Sequence, residues 1–326
     1  MTNIEWTDET WNPARGCTRV SPGCENCYAE RQAIRFAGPG ASYDGLVKIT
    51  NGHPQWTGTI RENRISLEVP LFWKKPRRIF VNSMSDLFHP GISRDFLMDV
   101  FVVMRDTPRH TYQILTKRAE HMVQVMPFVL DIVNKGKPLP NVWLGVSVED
   151  QKRADERIPR LLQTPAAIRF LSVEPQLEYV NVHLPRSGCI HPSMDGISGI
   201  TREDDRIWQC NLCDGYVLQE KHPTKPGYVR EIAGIHWVIC GGESGPGARP
   251  FNLAWAESLL KQCRAAGVPF FMKQVGSHPV WQKDGTFYEP GATQVWHDRK
   301  GGDPLEWPEH LRVREFPAQT KEEATA

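Results

Sequence analysis

Three cysteines lie close together near the start of the 326-residue chain. Cys17, Cys24 and Cys27 fall within eleven residues, just before a stretch, 28–36, whose pattern predicts a helix. Thiolates are ligands for zinc and for iron–sulfur clusters, and a Cys-x-x-Cys pair with a third cysteine nearby is typical of a metal site. We therefore expect this loop to bind a metal centre.

The number of cysteines indicates which centre it is. Three thiolates on a [4Fe–4S] cluster leave one iron without a protein ligand, whereas a four-cysteine site is closed. An open iron can bind S-adenosylmethionine (SAM) through its amino and carboxylate groups, and electron donation then yields a 5′-deoxyadenosyl radical. Cys17, Cys24 and Cys27 thus favour a [4Fe–4S] cluster used with SAM. A zinc site completed by a distant ligand and a set of unrelated structural thiols are the alternatives.

A second group of soft ligands lies far downstream. Cys189 and His191 precede the pair Cys210 and Cys213, whose Cys-x-x-Cys spacing is typical of a zinc knuckle. A structural Zn²⁺ here would stabilise a small segment that has little core of its own. An additional cluster and reduced free thiols are the alternatives. The other two downstream cysteines lie in a strand pattern and a helix pattern and are expected in the core.

The elements that would position these residues alternate along the chain. Short runs rich in β-branched and aromatic residues predict buried strands, and periodic runs between them predict helices. Such alternation is typical of βαβ units and a parallel sheet. We predict an α/β fold, a partial (β/α) TIM-type barrel; a doubly wound open sheet is the alternative, but no Gly-x-Gly-x-x-Gly turn follows the first strand. The predicted strands are 78–81, 112–115, 142–148, 168–173, 235–240 and 269–272, and the predicted helices are 96–104, 118–133, 151–162 and 254–265.

Polar residues follow every predicted strand. In a (β/α) barrel the carboxyl ends of the strands converge on one face, where the active site is built. We therefore expect the strand ends to form one pocket that binds SAM, with the glycines allowing close backbone approach. For any one carboxylate, the alternative is a helix-start residue. The predicted cofactor-binding residues are Ser85, Asp86, Lys117, Glu149, Glu174, Gly241, Gly242, Glu243 and Lys273.

The spacing of the strands predicts the domain organisation. The interval between the fourth and fifth strands is about 35 residues longer than the others, and it contains the second cysteine group. Residues 184–228 are therefore predicted to be a small inserted Cys/His metal-binding segment on a barrel formed by residues 1–275. Residues 276–326 are rich in Trp, Gly and Pro and predict an irregular C-terminal extension.

Four stretches of the sequence resemble a phage-associated family of proteins named for its three-cysteine motif. The resemblance spans nearly the full chain and implies similarity to radical SAM enzymes, including spore photoproduct lyase, with Cys17, Cys24 and Cys27 as cluster ligands. It also implies action on a nucleic-acid base, in repair or modification. The stretches are 5–13, 16–28, 241–246 and 312–317.

Two features depart from the usual radical SAM pattern. The usual loop is Cys-x3-Cys-x2-Cys with an aromatic residue before the last cysteine, whereas here six residues separate the first two cysteines and Asn26 takes the aromatic position. The usual Gly-Gly-Glu follows the second strand, whereas here Gly241 to Glu243 lie far downstream. The SAM-amine role of that motif is therefore not transferred, and barrel geometry alone assigns these residues.

The substrate and partners are less strongly indicated. The run 73–78, Trp-Lys-Lys-Pro-Arg-Arg, together with Arg61 and Arg64, could grip phosphates and stack bases, although such a run is often a solvated loop. A radical enzyme would also need a reductant such as flavodoxin or ferredoxin. The alternatives are a non-catalytic metal-binding module that recognises nucleic acid or a partner protein, and a radical enzyme acting on a small molecule or peptide.

Composition limits the class of protein. Hydrophobic residues make up 40% and charged residues 24% of the chain, as in ordinary folded proteins. A net charge of +1 gives no overall electrostatic signature for nucleic acid. The start of the chain shows no secretory signal, and no apolar run approaches the ~20 residues that span a bilayer. We therefore expect a cytoplasmic protein with no membrane association.

Overall fold

A computed structural model describes most of the chain. The described residues are 4–184, 197–199, 207–210, 216–218, 234–283, 286–288 and 297–318. They belong to two compact units, which are taken in turn. The first unit comprises residues 1–147 with the short segments 164–168 and 319–326, and the second comprises residues 148–163 and 169–318.

The first unit is built on a parallel sheet. Its eight strands are β1 (Glu9–Trp11), β2 (Ala14–Arg15), β3 (Val47–Thr50), β4 (His53–Trp56), β5 (Arg61–Glu62), β6 (Arg78–Val81), β7 (Thr111–Thr116) and β8 (Val142–Ser147). Four of them pair in parallel in the order β1, β6, β7, β8. Every residue of β8 is buried, as expected where helices cover both faces of a parallel sheet.

Among the described residues of the first unit, five α-helices lie between its strands. They are α1 (Tyr28–Ala33), α2 (Arg64–Leu67), α3 (Val69–Phe72), α4 (Arg94–Asp106) and α5 (Ala119–Asn134). The Ser93 hydroxyl caps α4 by accepting from the Phe96 amide, and α5 ends at Lys135 in a left-handed conformation. The long helices α4 and α5 bury apolar stripes, and they connect β6 to β7 and β7 to β8.

Two small antiparallel pairs accompany the sheet of the first unit. Strand β2 pairs with β5, and β3 pairs with β4 as a hairpin. Tyr43, Leu46 and Val47 form a small apolar cluster with Ala33 of α1, against which Trp56 of β4 packs. This cluster fixes the helix that follows the three cysteines.

The second unit contains helix α6 (Gln151–Gln163), helix α7 (Leu253–Ala266) and a second set of parallel strands. Strands β9 (Ile168–Val173), β13 (Trp237–Gly241) and β15 (Phe270–Gln274) pair in parallel in that order. Strands β10 (Ile197–Gly199), β11 (Ile207–Cys210) and β12 (Tyr216–Leu218) form an antiparallel sheet. The remaining three strands, β14 (Phe251–Asn252), β16 (Pro279–Lys283) and β17 (Thr286–Tyr288), form another small sheet.

The last described segment packs against the parallel strands of the second unit. The Glu315 amide donates to the Phe270 carbonyl at 2.9 Å, and the Trp237 indole donates to the Glu315 carbonyl at 2.8 Å. The ring of Phe316 lies 5.3 Å from that of Trp237. Residues 312–317, one of the stretches singled out in the sequence, therefore pack along the edge of the second unit's parallel strands.

The predicted class, a mixed α/β fold with parallel strands, is confirmed. All six predicted strands are present with small shifts at their ends, and β1 adds a seventh that the sequence pattern did not predict. Seven parallel strands in two units are consistent with a partial (β/α) barrel. Within the described ranges, no helix is long and apolar enough to cross a membrane.

Candidate functional site

The three cysteines line one pocket at the carboxyl end of the first unit's parallel strands. We call it the cysteine pocket; it is bounded by the three-cysteine loop (residues 16–28) and by residues that follow β6 and β7. Of the predicted cofactor-binding residues, Ser85, Asp86 and Lys117 lie in it. Its other lining residues are Thr18, Arg19, Tyr28, Ala29, Trp56, Phe80, Asn82, Ser83, Leu115, Thr116, Arg118 and Ser147.

Close backbone approach fixes the start of the three-cysteine loop. Gly16 has a φ of +88°, and a Cβ at this position would lie 2.1 Å from the Thr59 carbonyl oxygen. Gly16 also forms a bridge with Ser85, whose hydroxyl donates to the Ala14 carbonyl at 2.8 Å. Only glycine fits this position, because a side chain would be both strained and overlapped. The strand-end residue Ser85 thereby fixes the backbone just before Cys17.

The far end of the three-cysteine loop is held by helix α1. Cys27 is the residue that precedes its first turn, and Glu30 in that turn is 1% exposed. The Arg19 guanidinium donates to both carboxylate oxygens of Glu30, and the Trp56 amide donates to Glu30 at 3.0 Å. A buried carboxylate with a bidentate arginine is a strong constraint. Glu30 therefore joins the middle of the loop, the helix and β4.

A buried ion pair connects Cys17 to the strand ends. The Arg118 guanidinium donates to Asp86 at 2.8 Å, to the Cys17 sulfur at 3.6 Å and to the Thr18 hydroxyl at 2.7 Å. Asp86 also accepts from the Thr116 hydroxyl at 2.7 Å, and both charged side chains are less than a tenth exposed. The pair is well satisfied, as a buried ion pair must be to persist. Arg118 was not singled out in the sequence, where it read as a helix-start residue.

The three cysteines are partly buried. Burial raises the pKa of Cys17 to about 12, with Asp86 adding to the rise and Arg118 opposing it. Burial also raises the pKa of Cys27, while Lys117 and the amides of Glu30 and Ala29 lower it. Without a metal these two thiols are protonated at neutral pH, so metal binding releases protons. The positive charges of Arg118 and Lys117 favour the thiolate forms of Cys17 and Cys27, respectively.

His89 forms a hydrogen bond with the three-cysteine loop. The Gly91 amide donates to Nδ1 of His89 at 3.0 Å, so Nε2 carries the proton and donates to the Thr18 hydroxyl at 3.0 Å. Burial and the nearby Arg118 lower the pKa of His89 to about 4. His89 is therefore neutral at pH 7 and serves as a fixed hydrogen-bond donor.

Lys117 supplies a second cation. Its ammonium donates to the Ser147 hydroxyl at 3.2 Å, and among the described residues it forms no ion pair. Lys117 follows β7 and Ser147 ends β8, so neighbouring strands bring the two together. A lysine without a carboxylate partner is suited to offset the charge of thiolates or of an anionic ligand.

A family model described as "Protein of unknown function (DUF5131)" matches residues 1–313 of the chain. The chain belongs to this family. Neither a curated protein nor a solved structure matches it. Membership covers both units, including the three-cysteine loop and the strand ends that line the cysteine pocket in this DUF5131 protein.

The second unit brings together another part of the predicted set. The Lys273 ammonium donates to the Glu174 carboxylate at 2.6 Å, and both side chains are about four-fifths buried. A Cβ on Gly241 would lie 3.2 Å from the Glu174 side chain, and one on Gly242 would lie 2.4 Å from the Val275 carbonyl oxygen. Close packing within the unit therefore requires Gly242, and Gly241 packs on Glu174.

Two other predicted carboxylates of the second unit are paired with arginines. Glu243 accepts from Arg249 at 2.7 Å, and Glu149 accepts from Arg157 at 2.8 Å. Glu149 is fully buried and Glu243 nearly so. Each carboxylate has its own cation, which is the pattern expected of ion pairs that stabilise a fold. Their predicted role toward SAM stays a prediction.

The predicted zinc ligands lie at the limit of the described structure. Cys210 ends strand β11, whereas Cys189, His191 and Cys213 lie outside the described residues. Across the ranges that are described, which include Cys17, Cys24 and Cys27, no three His, Cys, Asp or Glu side chains are grouped to hold one metal ion. The zinc assignment therefore stays a prediction.

The basic run lies at the other end of strand β6. Residues 73–77 precede this strand, whereas the cysteine pocket follows it. Arg77 pairs with Glu9 at 2.8 Å and lies over the Trp73 ring, and Arg78 pairs with Asp8 at 3.3 Å. These contacts fit a solvated segment that ties β6 to the chain before β1. The run is poorly placed to grip a ligand in the cysteine pocket.

Proposed function

We propose that this protein is an iron–sulfur enzyme of the radical SAM type. The observation that carries the proposal is the gathering of Cys17, Cys24 and Cys27 around one pocket together with Lys117 and Arg118. Three thiolates bring negative charge into a largely buried site, and two cations at strand ends offset that charge. The pocket lies at the carboxyl ends of parallel strands, where (β/α) folds carry their active sites.

The residues of the cysteine pocket fit a [4Fe–4S] cluster by the chemistry of their donors. Cys17, Cys24 and Cys27 would hold it through their thiolates, and three protein ligands would leave room for SAM to bind the cluster. When bound and reduced by an external donor such as flavodoxin or ferredoxin, such a cluster would supply the electron for reductive cleavage of SAM to methionine and a 5′-deoxyadenosyl radical. Arg118 orients Cys17 through its hydrogen bond to the sulfur, and hydrogen bonds to cluster sulfurs tune the reduction potential.

The shielding of the pocket serves the same chemistry. Aromatic side chains of Trp56, Phe80 and Tyr28 line it, and the Tyr28 hydroxyl donates to the Ser83 carbonyl. A radical needs a site from which water and stray reductants are kept away.

We propose a nucleic-acid base as the substrate, with flavodoxin or ferredoxin as the reductant. The substrate assignment comes from the resemblance to spore photoproduct lyase and to a phage-associated family. A planar base suits a pocket lined by aromatic side chains. The basic run before β6 does not add to this proposal, since it lies away from the pocket.

A SAM-cleavage assay tests the activity. Anaerobically reconstituted protein with dithionite and SAM should release 5′-deoxyadenosine and methionine in equal amounts, and Cys24→Ser should abolish release. Arg109→Gln is the matched control, because Arg109 donates to carbonyls before β6 and not to the pocket. Absence of 5′-deoxyadenosine from a protein that holds a full complement of iron would refute SAM chemistry.

A further inference from the structure

The side chain of Asn82 is buried and unpaired among the described residues. Asn82 is 2% exposed, and within the part of the chain that the structure describes neither its side-chain nitrogen Nδ2 nor its side-chain oxygen Oδ1 has a hydrogen-bond partner. The residue directly follows β6 and lines the cysteine pocket. Buried polar groups in folded proteins are nearly always paired, because an unpaired amide costs stability. A buried, unpaired amide on a residue that lines a pocket therefore points to a ligand.

The backbone at Asn82 accounts for only part of this. Its φ of +57° is left-handed, and the Ser85 amide donates to its carbonyl at 3.2 Å in a tight turn. Asparagine tolerates this conformation better than most residues. Glycine would tolerate it better still, and would leave no buried amide to satisfy. The turn therefore explains the backbone, but it does not explain the side chain.

The surroundings of the amide indicate the shape of the ligand. The aromatic rings of Phe80, Tyr28 and Trp56 line the same pocket, as does the ammonium of Lys117. An asparagine amide offers one donor and one acceptor in one plane, and this pair matches the edge of a nucleobase. Enzymes that act on a base read its edge with such groups and hold its faces against apolar side chains.

We propose that Asn82 binds the edge of a nucleobase in the cysteine pocket through its amide. This inference deepens the proposed function and rests on it for the source of the base, which is either the adenine of SAM or the base of a nucleic-acid substrate. Lys117 would hold an anionic group of the same ligand, its carboxylate or phosphate. Asn82 is then a specificity-determining residue of the pocket.

Calorimetric titration of the full-length, anaerobically purified protein tests this inference. The probes are SAM, adenosine, thymidine and cytidine, and the variant is Asn82→Gly, which keeps the left-handed backbone and removes only the amide. Loss of two hydrogen bonds should weaken binding of the recognised base by about tenfold or more. A loss for SAM and adenosine alone identifies the cofactor's adenine, and a loss for a pyrimidine nucleoside identifies the substrate base.

Two further measurements keep the outcomes distinct. Asn82→Asp keeps the side-chain shape and loses the donor, so it should weaken binding as well, and it replaces Asn82→Gly if that variant fails to fold. Wild-type protein that binds none of the four probes, or variants that bind them all as wild type does, would overturn the inference. Iron content is measured on the same samples. If the protein holds no cluster but binds adenosine in a way that depends on Asn82, the proposed function is refuted and this inference stands.

Discussion

The guanidinium of Arg118 donates hydrogen bonds to four groups, three of which belong to Cys17 and its neighbour Thr18. It contacts the Cys17 sulfur, the carbonyl and hydroxyl of Thr18, and the Asp86 carboxylate. Because Asp86 is itself fixed by Thr116 and by the backbone amides of Phe88 and Lys117, the position of Cys17 depends on two strand ends. Arg118 is therefore a positioning residue for the proposed cluster.

Replacing this arginine should harm both stability and metal content. Arg118→Gln would leave Asp86 buried without its cation, and we expect a loss of about 3 kcal/mol in the free energy of unfolding together with reduced iron content. Urea unfolding and iron analysis measure the two effects. The double variant Arg118→Gln/Asp86→Asn removes the unpaired charge and should regain stability without regaining iron. Equal iron in wild type and both variants would contradict the positioning role.

The neutral state of His89 predicts a pH dependence of stability. Its pKa in the folded protein is about 4, below the ordinary 6.5, so the unfolded chain binds the proton more readily. The stabilisation from neutral His89 is full above pH 6.5 and is lost as the pH falls toward 4, by at most about 3 kcal/mol. His89→Gln keeps a donor for Thr18, and it should show a shallower loss between pH 7 and 4.5. Parallel unfolding curves for the two proteins over this range would refute the assignment.

At the residue scale the sequence predicted the cysteines and strand-end residues of the pocket better than the residues that support them. The three cysteines, Ser85, Asp86 and Lys117 could be found, because cysteine spacing and strand-end position are local features. Asn82 and Arg118 stand in the same strand-end segments, but their roles depend on burial and on contacts with residues far along the chain. The roles of Glu149, Glu174, Glu243 and Lys273 as SAM ligands stay predictions, and each of these side chains forms an ion pair.

At the scale of elements, the short pair β2 and β5 determines where the three-cysteine loop begins. Gly16 follows β2 and lies against the backbone that leads into β5. The other end of the loop depends on α1 and on the hairpin of β3 and β4, through Glu30. Both ends of the three-cysteine loop are therefore fixed by contacts with these short elements.

A side chain at Gly16 should therefore disturb the whole loop. Gly16→Ala would place a methyl group against the Thr59 carbonyl, and we expect a loss of about 3 kcal/mol or more in the free energy of unfolding. Gly40→Ala is the matched control, since Gly40 is also left-handed but has open space around it, and it should lose only about 1 kcal/mol. Similar losses measured by urea unfolding for both variants would show that close packing at Gly16 does not matter.

The inserted segment gives a prediction of its own. If Cys210 and Cys213 bind structural zinc, Cys213→Ser should release zinc and lower the melting temperature, because structural metals act through folding. The iron content and visible spectrum should not change, since the proposed cluster uses other cysteines. Metal analysis of wild type and variant measures both effects. A loss of iron on this substitution would contradict two independent metal sites.

The elements themselves followed from the sequence where the pattern was strong. Strands β6 and β9 match their predicted bounds, because buried parallel strands are continuous runs of apolar residues. Strand β1 was not predicted, because its three residues carry no alternation and its pairing with β6 joins segments about 70 residues apart. The pair β2 with β5 was missed because each of its strands has only two residues. The hairpin of β3 and β4 was missed although Asn51 and Gly52, which join its strands, are a local hairpin signal.

At the scale of the whole molecule, each of the two units has polar and charged side chains at the ends of its parallel strands. The first unit contains the cysteine pocket, and the second contains a separate group of buried ion pairs at its own strand ends. The proposed function rests on the pocket of the first unit alone. Its central claim is that the three cysteines of this pocket hold an iron–sulfur cluster.

Iron and acid-labile sulfide analysis with Mössbauer spectroscopy on anaerobically purified protein tests this claim most directly. We expect about four irons per chain with the spectrum of a [4Fe–4S] cluster, and loss of that spectrum in Cys17→Ser, Cys24→Ser and Cys27→Ser. Cys263→Ala is the control, because Cys263 is buried in the core of the second unit and should not affect iron. Colourless protein with one zinc bound by the same three cysteines would contradict the account.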